Sequence, residues 1–137
     1  MATATARSTS APRWMHWAGW LLSVPPVLTM SIGAAFRLSR NPEAVSGFMS
    51  KYGFPESAIA GIGVLEVATV ALYLVPQTSV LGAIVMAGYL GGAVATNVRI
   101  GDPLGAAIPA VLGILAWGGL YLRDRRIREL IPFRRPA

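Results

Sequence analysis

Four long apolar segments, almost free of charge, constrain the fold of this chain more than any other feature. They cover residues 14–36, 57–75, 79–98 and 104–122, and the last three contain one charged side chain between them, Glu66. A helix needs about 20 apolar residues to span the hydrocarbon core of a bilayer. In a chain of 137 residues, only a bilayer buries every face of four such helices. The segments therefore predict an all-α fold, a four-helix transmembrane bundle.

The composition agrees with this prediction and narrows the chemistry. Only 13% of the residues are charged, against about 25% in an average soluble domain. The chain has no cysteine and a single histidine, His16, which does not form a metal site by itself. We interpret His16 as a polar residue at the membrane interface, or as a haem or metal ligand only with other chains. We therefore expect no metal and no cofactor from this chain alone, apart from a bound lipid or quinone.

The basic residues are concentrated at the C-terminus. Six of the twelve Lys and Arg residues lie in the last fifteen positions. Basic residues next to apolar segments follow the positive-inside rule more often than they bind nucleic acid, so we expect no nucleic-acid partner. With four spans both termini share one side, which holds eight basic residues against four on the other. We expect both termini in the cytoplasm, in a multi-pass protein of a bacterial cytoplasmic (inner) membrane.

The ends of the chain differ from the apolar region between them. The first residues are rich in Ala, Thr and Ser, and the apolar segment behind them is longer than the core of a signal peptide. We expect a flexible polar tail over residues 1–13, a transmembrane domain over residues 14–122 and a basic cytoplasmic tail over residues 123–137. Within the first segment, Pro25 and Pro26 remove backbone donors and predict a kink or a break.

The connection between the first two segments is long and has a pattern of its own. Apolar side chains recur there at helical spacing, namely Ala44, Val45, Phe48, Met49 and Tyr52. Polar residues take the other face, which predicts a short amphipathic helix on the membrane surface or folded over the bundle. In one interpretation this helix is a lid above a cavity. In the other it fills the rim of a small bundle.

Small residues are frequent in the third segment. Gly88 and Gly92 have small-xxx-small spacing, with Ala87 and Gly91 beside them. Because apolar burial does not drive helices together in lipid, close packing at small residues does so instead. We expect this helix to pack tightly against its neighbours, although the same face also suits a dimer interface.

Glu66 is the main candidate for a functional residue. An acidic group near the centre of a span costs about 2.5–3.5 kcal/mol on insertion scales, so it usually faces the bundle interior and is protonated or paired. The expected partners are Tyr89, Tyr73, Thr69 and Ser31. Three roles stay open: a neutral carboxyl group that fixes helix packing, a group that orients a ligand or handles a proton, and a contact with another membrane subunit.

Arg99 and Asp102 fall at the water interface, and Asn97 lies about one turn inside them. A buried amide at that depth must be hydrogen-bonded, to another helix or to a ligand. Together with Glu66, Tyr89 and Tyr73, it completes the set of residues that we predict to bind a ligand. We predict no catalytic residues.

Four motifs follow one another along the chain: YGFPES at 52–57, GVLEVATVALYLVPQTSVLGAI at 63–84, GYLGGAVATNVRIGDP at 88–103 and WGGLYLRDRRIRELIPFRR at 117–135. Their combination resembles the DoxX-like membrane proteins, which implies a four-helix bundle and an association with membrane redox chemistry. Many similar proteins have a histidine at the position of Asn97. Many also have an acid with a nearby lysine late in the first helix, where this chain has SIGAAFRL with Arg37. The loss of these groups favours a role without catalysis.

Two functions follow from these features. The first is a non-catalytic accessory or scaffold subunit of a larger membrane assembly, such as an electron-transfer or pigment complex. Its partners are membrane lipids and either other membrane subunits or further copies of this chain. The second is a membrane-embedded binding site or enzyme for a lipophilic molecule such as a quinone, oriented by Glu66. A transporter has less support, because no inverted repeat and no chain of ionisable groups is visible.

Overall fold

The structure is a computed structural model that describes residues 12–130. Six α-helices lie in this range: α1 (Arg13–Leu38), α2 (Pro42–Tyr52), α3 (Glu56–Leu74), α4 (Ser79–Arg99), α5 (Pro103–Arg123) and α6 (Arg125–Leu130). Four of them, α1, α3, α4 and α5, are long and apolar enough to cross a membrane. The predicted all-α bundle is confirmed, as is the short helix between its first two spans. The boundaries of the spans lie within two residues of those predicted.

The four spans form a ring in which each helix has two neighbours. Helix α1 packs against α3 and α5, and α4 packs against the same two helices. Successive spans run in opposite directions, so the bundle has two distinct ends. We call them the α2 end, where α1 and α4 finish and α3 and α5 begin, and the α6 end, where the reverse holds.

Local signals set the helix boundaries at the α2 end. The side chain of Asn41 accepts hydrogen bonds from the first turn of α2 at 3.1 and 3.2 Å, and Gly53 ends that helix with a φ of 72°. Helix α5 begins in the same way, because Asp102 accepts the N–H of Gly105 at 2.7 Å. Such caps satisfy donors that have no partner within the helix.

The outer surface of the ring is apolar, as lipid requires. Exposed apolar side chains lie on all four spans, among them Leu21 on α1, Val64 on α3, Ile84 on α4 and Ile114 on α5. The interior is filled by large side chains, among them Met30 and Met86, both almost completely buried. A water-soluble domain does not leave apolar side chains exposed around its whole circumference, so the predicted bilayer setting accounts for this distribution.

Helix α1 settles one of the two alternatives predicted at its prolines. It is continuous through Pro25 and Pro26, so it has no break there, and the kink stays a prediction. The two prolines remove backbone donors, but α1 packs against α3 and α5 and Pro26 is buried in that contact region. Packing against two neighbours holds the helix together across the missing hydrogen bonds.

The third segment is α4, and the prediction that its glycines Gly88, Gly91 and Gly92 pack tightly against neighbouring helices of the chain is wrong. A Cβ atom added at Gly88, Gly91 or Gly92 would meet nothing within 4 Å. Helix α4 turns another face inward, the one that carries Gly82 and Met86. The close approach occurs there, because a Cβ on Gly82 would overlap the backbone of α3. The dimer interpretation of the glycine face stays a prediction.

Most of the two predicted tails lies outside the described residues, namely residues 1–11 and 131–137. Within the predicted C-terminal tail, α6 follows α5 directly, and its Ile127 is buried in the core at 3% exposure. This part of the chain therefore packs against the bundle.

Candidate functional site

Glu66 lies in the interior of the bundle and is paired. It is 3% exposed. Arg37 of α1 donates from Nη1 to its Oε2 at 2.6 Å, and the hydroxyl of Tyr89 on α4 donates to its Oε1 at 2.5 Å. Three helices thus converge on one carboxylate. Of the partners expected from the sequence, only Tyr89 contacts it.

The other expected partners of Glu66 have different contacts. The hydroxyl of Thr69 donates to the carbonyl of Leu65 at 2.7 Å, and Ser31 is exposed on the outside of α1. Tyr73 lies two turns further along α3, about 10 Å away along the helix axis, at the α6 end. Although Tyr73 is close to Glu66 in sequence and on the same helix, two turns of helix separate it from the site.

Arg37 is the site residue that sequence reasoning missed. The count of basic residues on each side of the membrane assigns Arg37 to the water side. In the structure it lies in the last turn of α1. Its long side chain instead reaches back into the bundle and is only 19% exposed. The sequence signal that points to Arg37 is the resemblance described above, because many of the similar proteins have a lysine near this position.

Gly33 makes room for this ion pair. A Cβ atom on Gly33 would lie 2.6 Å from Nη1 of Arg37 and 3.2 Å from Oε1 of Glu66. A larger residue there would push the guanidinium away from the carboxylate. The glycine of SIGAAF thus has a specific role one turn before Arg37.

Arg37 has donors that are not used by Glu66. Its Nε atom is buried and has no acceptor within the part of the chain that the structure describes. The ring of Phe48, on α2, lies 4.8 Å from the centre of the guanidinium. Because a buried donor is normally hydrogen-bonded, Nε is the group in this cluster that most needs a partner.

A cavity of about 380 Å³ lies beside the ion pair, and Arg37 and Tyr89 form part of its wall. Helix α2 and the turn after it cover the cavity with three aromatic side chains, Phe48, Tyr52 and Phe54. Of the two interpretations of the amphipathic helix, its position agrees with a cover above a cavity. The remaining wall comes from α3 and α4, chiefly Ile62, Leu65, Gly88, Gly92, Ala93, Thr96 and Asn97.

Asn97 lines the same cavity but is largely satisfied by protein groups. Its Nδ2 donates to the carbonyl of Ala93 at 2.8 Å, and its Oδ1 accepts the hydroxyl of Tyr52 at 3.4 Å. The second bond is long, and therefore weak. Of the four predicted ligand-binding residues, Tyr89 and Asn97 line this cavity, Glu66 contacts it through its hydrogen bond with Tyr89, and Tyr73 lies at the other end of the bundle.

Polar contacts outside the hydrocarbon region hold α2 over the cavity. Lys51 Nζ lies 2.9 Å from Oδ2 of Asp102, and Arg99 donates to the carbonyl of Tyr52 at 2.5 Å. The hydrogen bond from the Gly105 backbone, followed by that from Lys51, holds the pKa of Asp102 below its ordinary value. The Asp102 carboxylate in turn raises the pKa of Lys51. We call the Lys51–Asp102 pair the latch.

Tyr73 belongs to a separate cluster at the α6 end. Its hydroxyl donates to the carbonyl of Ala116 at 2.7 Å and lies 2.8 Å from the hydroxyl of Ser23. Arg123 donates to its backbone carbonyl at 2.8 Å. A second cavity of about 350 Å³ lies nearby, lined by polar groups of helix ends and of the α3–α4 turn, including His16, Gln77 and Arg126.

Among residues 12–130, no three His, Cys, Asp or Glu side chains lie close enough together to hold a metal ion. His16 is exposed and accepts a hydrogen bond from the indole of Trp20 at 3.1 Å.

Comparison with known proteins gives one match. The family model described as the DoxX-like family matches residues 10–119, which includes the four spans almost to the end of the last one. No curated protein matches the chain, and no solved structure does so either.

Proposed function

Since the chain belongs to the DoxX-like family and is a small integral membrane protein, we propose that its bundle binds the polar end of a lipophilic molecule such as a quinone. The observation that carries this proposal is the Arg37–Glu66–Tyr89 cluster, of which Arg37 and Tyr89 line a largely apolar cavity. A charged group at this depth is costly. Such a cluster next to a cavity is more typical of a binding site than of a structural contact.

The hydrogen-bonding capacity of the cluster defines what it binds. Glu66 already accepts hydrogen bonds from Arg37 and Tyr89, so its main effect is to fix the direction of the guanidinium. Arg37 retains donors, including the buried Nε. The ligand therefore supplies an acceptor oxygen to Arg37. The aromatic side chains of α2 provide flat surfaces for a ring.

The net charge of the cluster favours a neutral ligand. Arg37 and Glu66 neutralise each other at 2.6 Å, so a ligand carboxylate would bring an unbalanced negative charge into the hydrocarbon region. A carbonyl or hydroxyl oxygen accepts the same hydrogen bond without that cost. This preference supports a quinone over a fatty acid. No reaction is assigned to the site.

The test compares two tyrosines that lie in the same bundle. Binding of a prenylated benzoquinone to the protein in lipid nanodiscs is measured for the wild type, Arg37→Met, Tyr89→Phe and Tyr73→Phe. We expect Arg37→Met to weaken binding about tenfold or more, a loss of about 1.4 kcal/mol, because methionine has no hydrogen-bond donor. Tyr89→Phe has a smaller effect, since it acts through Glu66.

Tyr73→Phe is the matched control, because it removes a buried hydroxyl at the α6 end. It reduces stability but leaves binding unchanged. Equal affinity of the wild type and Arg37→Met for the probe would contradict the proposal. So would a wild-type protein that binds no benzoquinone.

A second function, the accessory subunit, is favoured by a different surface. A shallow groove of about 540 Å³ runs along the outside between α4 and α5, and its wall is rich in small residues, including Ala87, Gly91, Ala110 and Gly113. A transmembrane helix of another subunit fits such a surface. We expect larger membrane proteins to co-purify after mild detergent extraction and to be lost in Gly91→Leu. Extraction of the chain alone under every mild condition would count against this function.

We also propose the orientation with both termini in the cytoplasm of a bacterial inner membrane. The support is the arginine-rich C-terminus. A reporter fused after Ala137 that is active only in the cytoplasm agrees with it, and one that is active only outside contradicts it. In this orientation the α2 end faces away from the cytoplasm.

A further inference from the structure

In the cavity beside Glu66, the wall that α4 forms has two positions without a side chain. Gly88 and Gly92 lie one turn apart on α4, both line the cavity, and both are exposed on the lipid side. A Cβ atom at either position would meet nothing within 4 Å. On α3, the facing wall is formed by Ile62 and Leu65, and Leu65 is 45% exposed. The cavity thus reaches the surface between α3 and α4.

This part of the α4 wall lies within the hydrocarbon region. Gly92 is seven residues before the end of α4 at Arg99, which places it about 10 Å inside the span. The mouth between α3 and α4 therefore faces lipid chains. The side towards water is instead covered by α2, whose Tyr52 is bonded to Asn97 and whose Lys51 is paired in the latch.

The size of the cavity limits what it holds. At about 380 Å³ it lies near the lower end of small-molecule sites, which span about 300–1,000 Å³. A substituted ring fits in this volume beside Arg37, but a long hydrocarbon chain does not. The chain must leave the cavity, and the surface without side chains at Gly88 and Gly92 provides the room.

We propose that the ligand is a ring with a long prenyl tail, that it enters sideways from the bilayer between α3 and α4, and that its bound tail lies across Gly88 and Gly92. This inference rests on the proposed function and adds the ligand class and the path. It assigns the glycines, which do not pack against another helix of this chain, a role in leaving space for the tail.

The experiment uses two probes that differ only in the tail. One is a benzoquinone with a long prenyl chain, and the other is the same benzoquinone with a methyl group in place of that chain. Both are titrated against the protein in nanodiscs, for the wild type and for Gly92→Leu. Gly91→Leu on α4 and Gly61→Leu on α3 are matched controls, because both glycines are equally open but line no part of this cavity.

We expect Gly92→Leu to weaken binding of the prenylated probe about tenfold, which corresponds to about 1.4 kcal/mol, and to leave the methyl probe unaffected. Neither control variant changes the binding of either probe. Gly88→Leu gives the same result as Gly92→Leu and replaces it if that variant does not fold. Thermal unfolding of each variant establishes that the bundle is intact.

Two results would overturn the inference while leaving the proposed function standing. In the first, Gly92→Leu and Gly88→Leu bind the prenylated probe as tightly as the wild type, so the tail does not cross the glycines. In the second, both probes are weakened equally, so the leucine enters the ring site itself. If the wild type binds neither probe, the proposed function fails and the inference fails with it.

Discussion

The two ends of the bundle each bury an arginine and a tyrosine, yet they use them differently. At the α6 end, the guanidinium of Arg123 lies between the rings of Trp20 and Tyr73, with its central carbon 4.4 Å from each ring centre. No carboxylate pairs with it there in the described range. At the α2 end, Arg37 pairs with Glu66 and borders a cavity.

The contacts of glycines near Tyr73 also differ from those of the glycines beside the cavity. Near Tyr73, glycines are in tight contact: a Cβ atom on Gly119 would lie 2.7 Å from the carbonyl oxygen of Gly19. Beside the cavity, Gly88 and Gly92 face open space. The comparison teaches that a buried polar group in this bundle is structural where the helices close around it. Where they leave room beside a charge, we propose that the same kind of group binds a ligand.

The largest change in the free energy of unfolding is expected when the ion pair at the α2 end is broken. Arg37→Met leaves the Glu66 carboxylate without its counter-charge, and we expect the free energy of unfolding to fall by about 3 kcal/mol. The double variant Arg37→Met with Glu66→Leu removes both charges and recovers most of this loss. Unfolding in mixed micelles of mild detergent and dodecyl sulfate measures both values.

Arg123→Met is the counterpart at the α6 end. It removes cation–π contacts and one hydrogen bond but strands no carboxylate, so we expect a loss of about 1–2 kcal/mol. A double variant at the α2 end that is no more stable than Arg37→Met alone would show that packing, not charge, sets the stability there.

A smaller change in the free energy of unfolding is expected from substitutions that test the difference in glycine packing between the two ends. Gly82→Ala places a methyl group against the backbone of Tyr73, which neither a rotamer change nor a small shift accommodates. We expect it to destabilise the protein by about 2 kcal/mol. Gly92→Ala is the matched change in open space on the same helix, and it is neutral or slightly stabilising, by at most about 1 kcal/mol. Similar unfolding free energies for the two variants would remove the distinction between the ends.

The smallest effect concerns the latch and depends on pH. Asp102 has a lowered pKa, so its contribution is complete above the ordinary carboxyl pKa of about 4 and is lost as the pH falls below it. Lys51 has a raised pKa, so its contribution is complete below about 10.4 and is lost as the pH rises through the raised value. The latch is therefore constant near neutral pH and weakens at both extremes.

Asp102→Asn separates the two roles of this residue. Asparagine still caps α5, but it no longer attracts Lys51. We expect the variant to lose the pH dependence of amide protection in α2 at both extremes, measured as the exchange rate relative to the intrinsic rate at the same pH, while the protection of α5 stays unchanged. The effect is small because the pair is exposed and screened by water. A wild-type α2 whose protection is the same at all pH values would show that the latch does not hold it.

Much of the fold follows from local sequence. The apolar segments define the spans to within two residues, since length and hydropathy depend on no distant partner. The amphipathic pattern predicts α2 with its inward face, because the residues at helical spacing from Ala44 to Tyr52 are all partly buried. The position of Glu66 in a span also predicts that it is buried and paired. The glycine face of α4 was assigned incorrectly, because spacing alone does not say which side of a helix meets a neighbour.

The sequence by itself determined that this chain has four lipid-spanning helices, a short helix between the first two, and one carboxylate in the interior. Only the tertiary structure decided that Arg37, and not Tyr73, reaches Glu66, and that a cavity opens beside them. The physical reason is that helical periodicity fixes which residues share a face. The rotation and depth of each helix in the bundle depend on the packing of all four spans together, and these decide which faces meet.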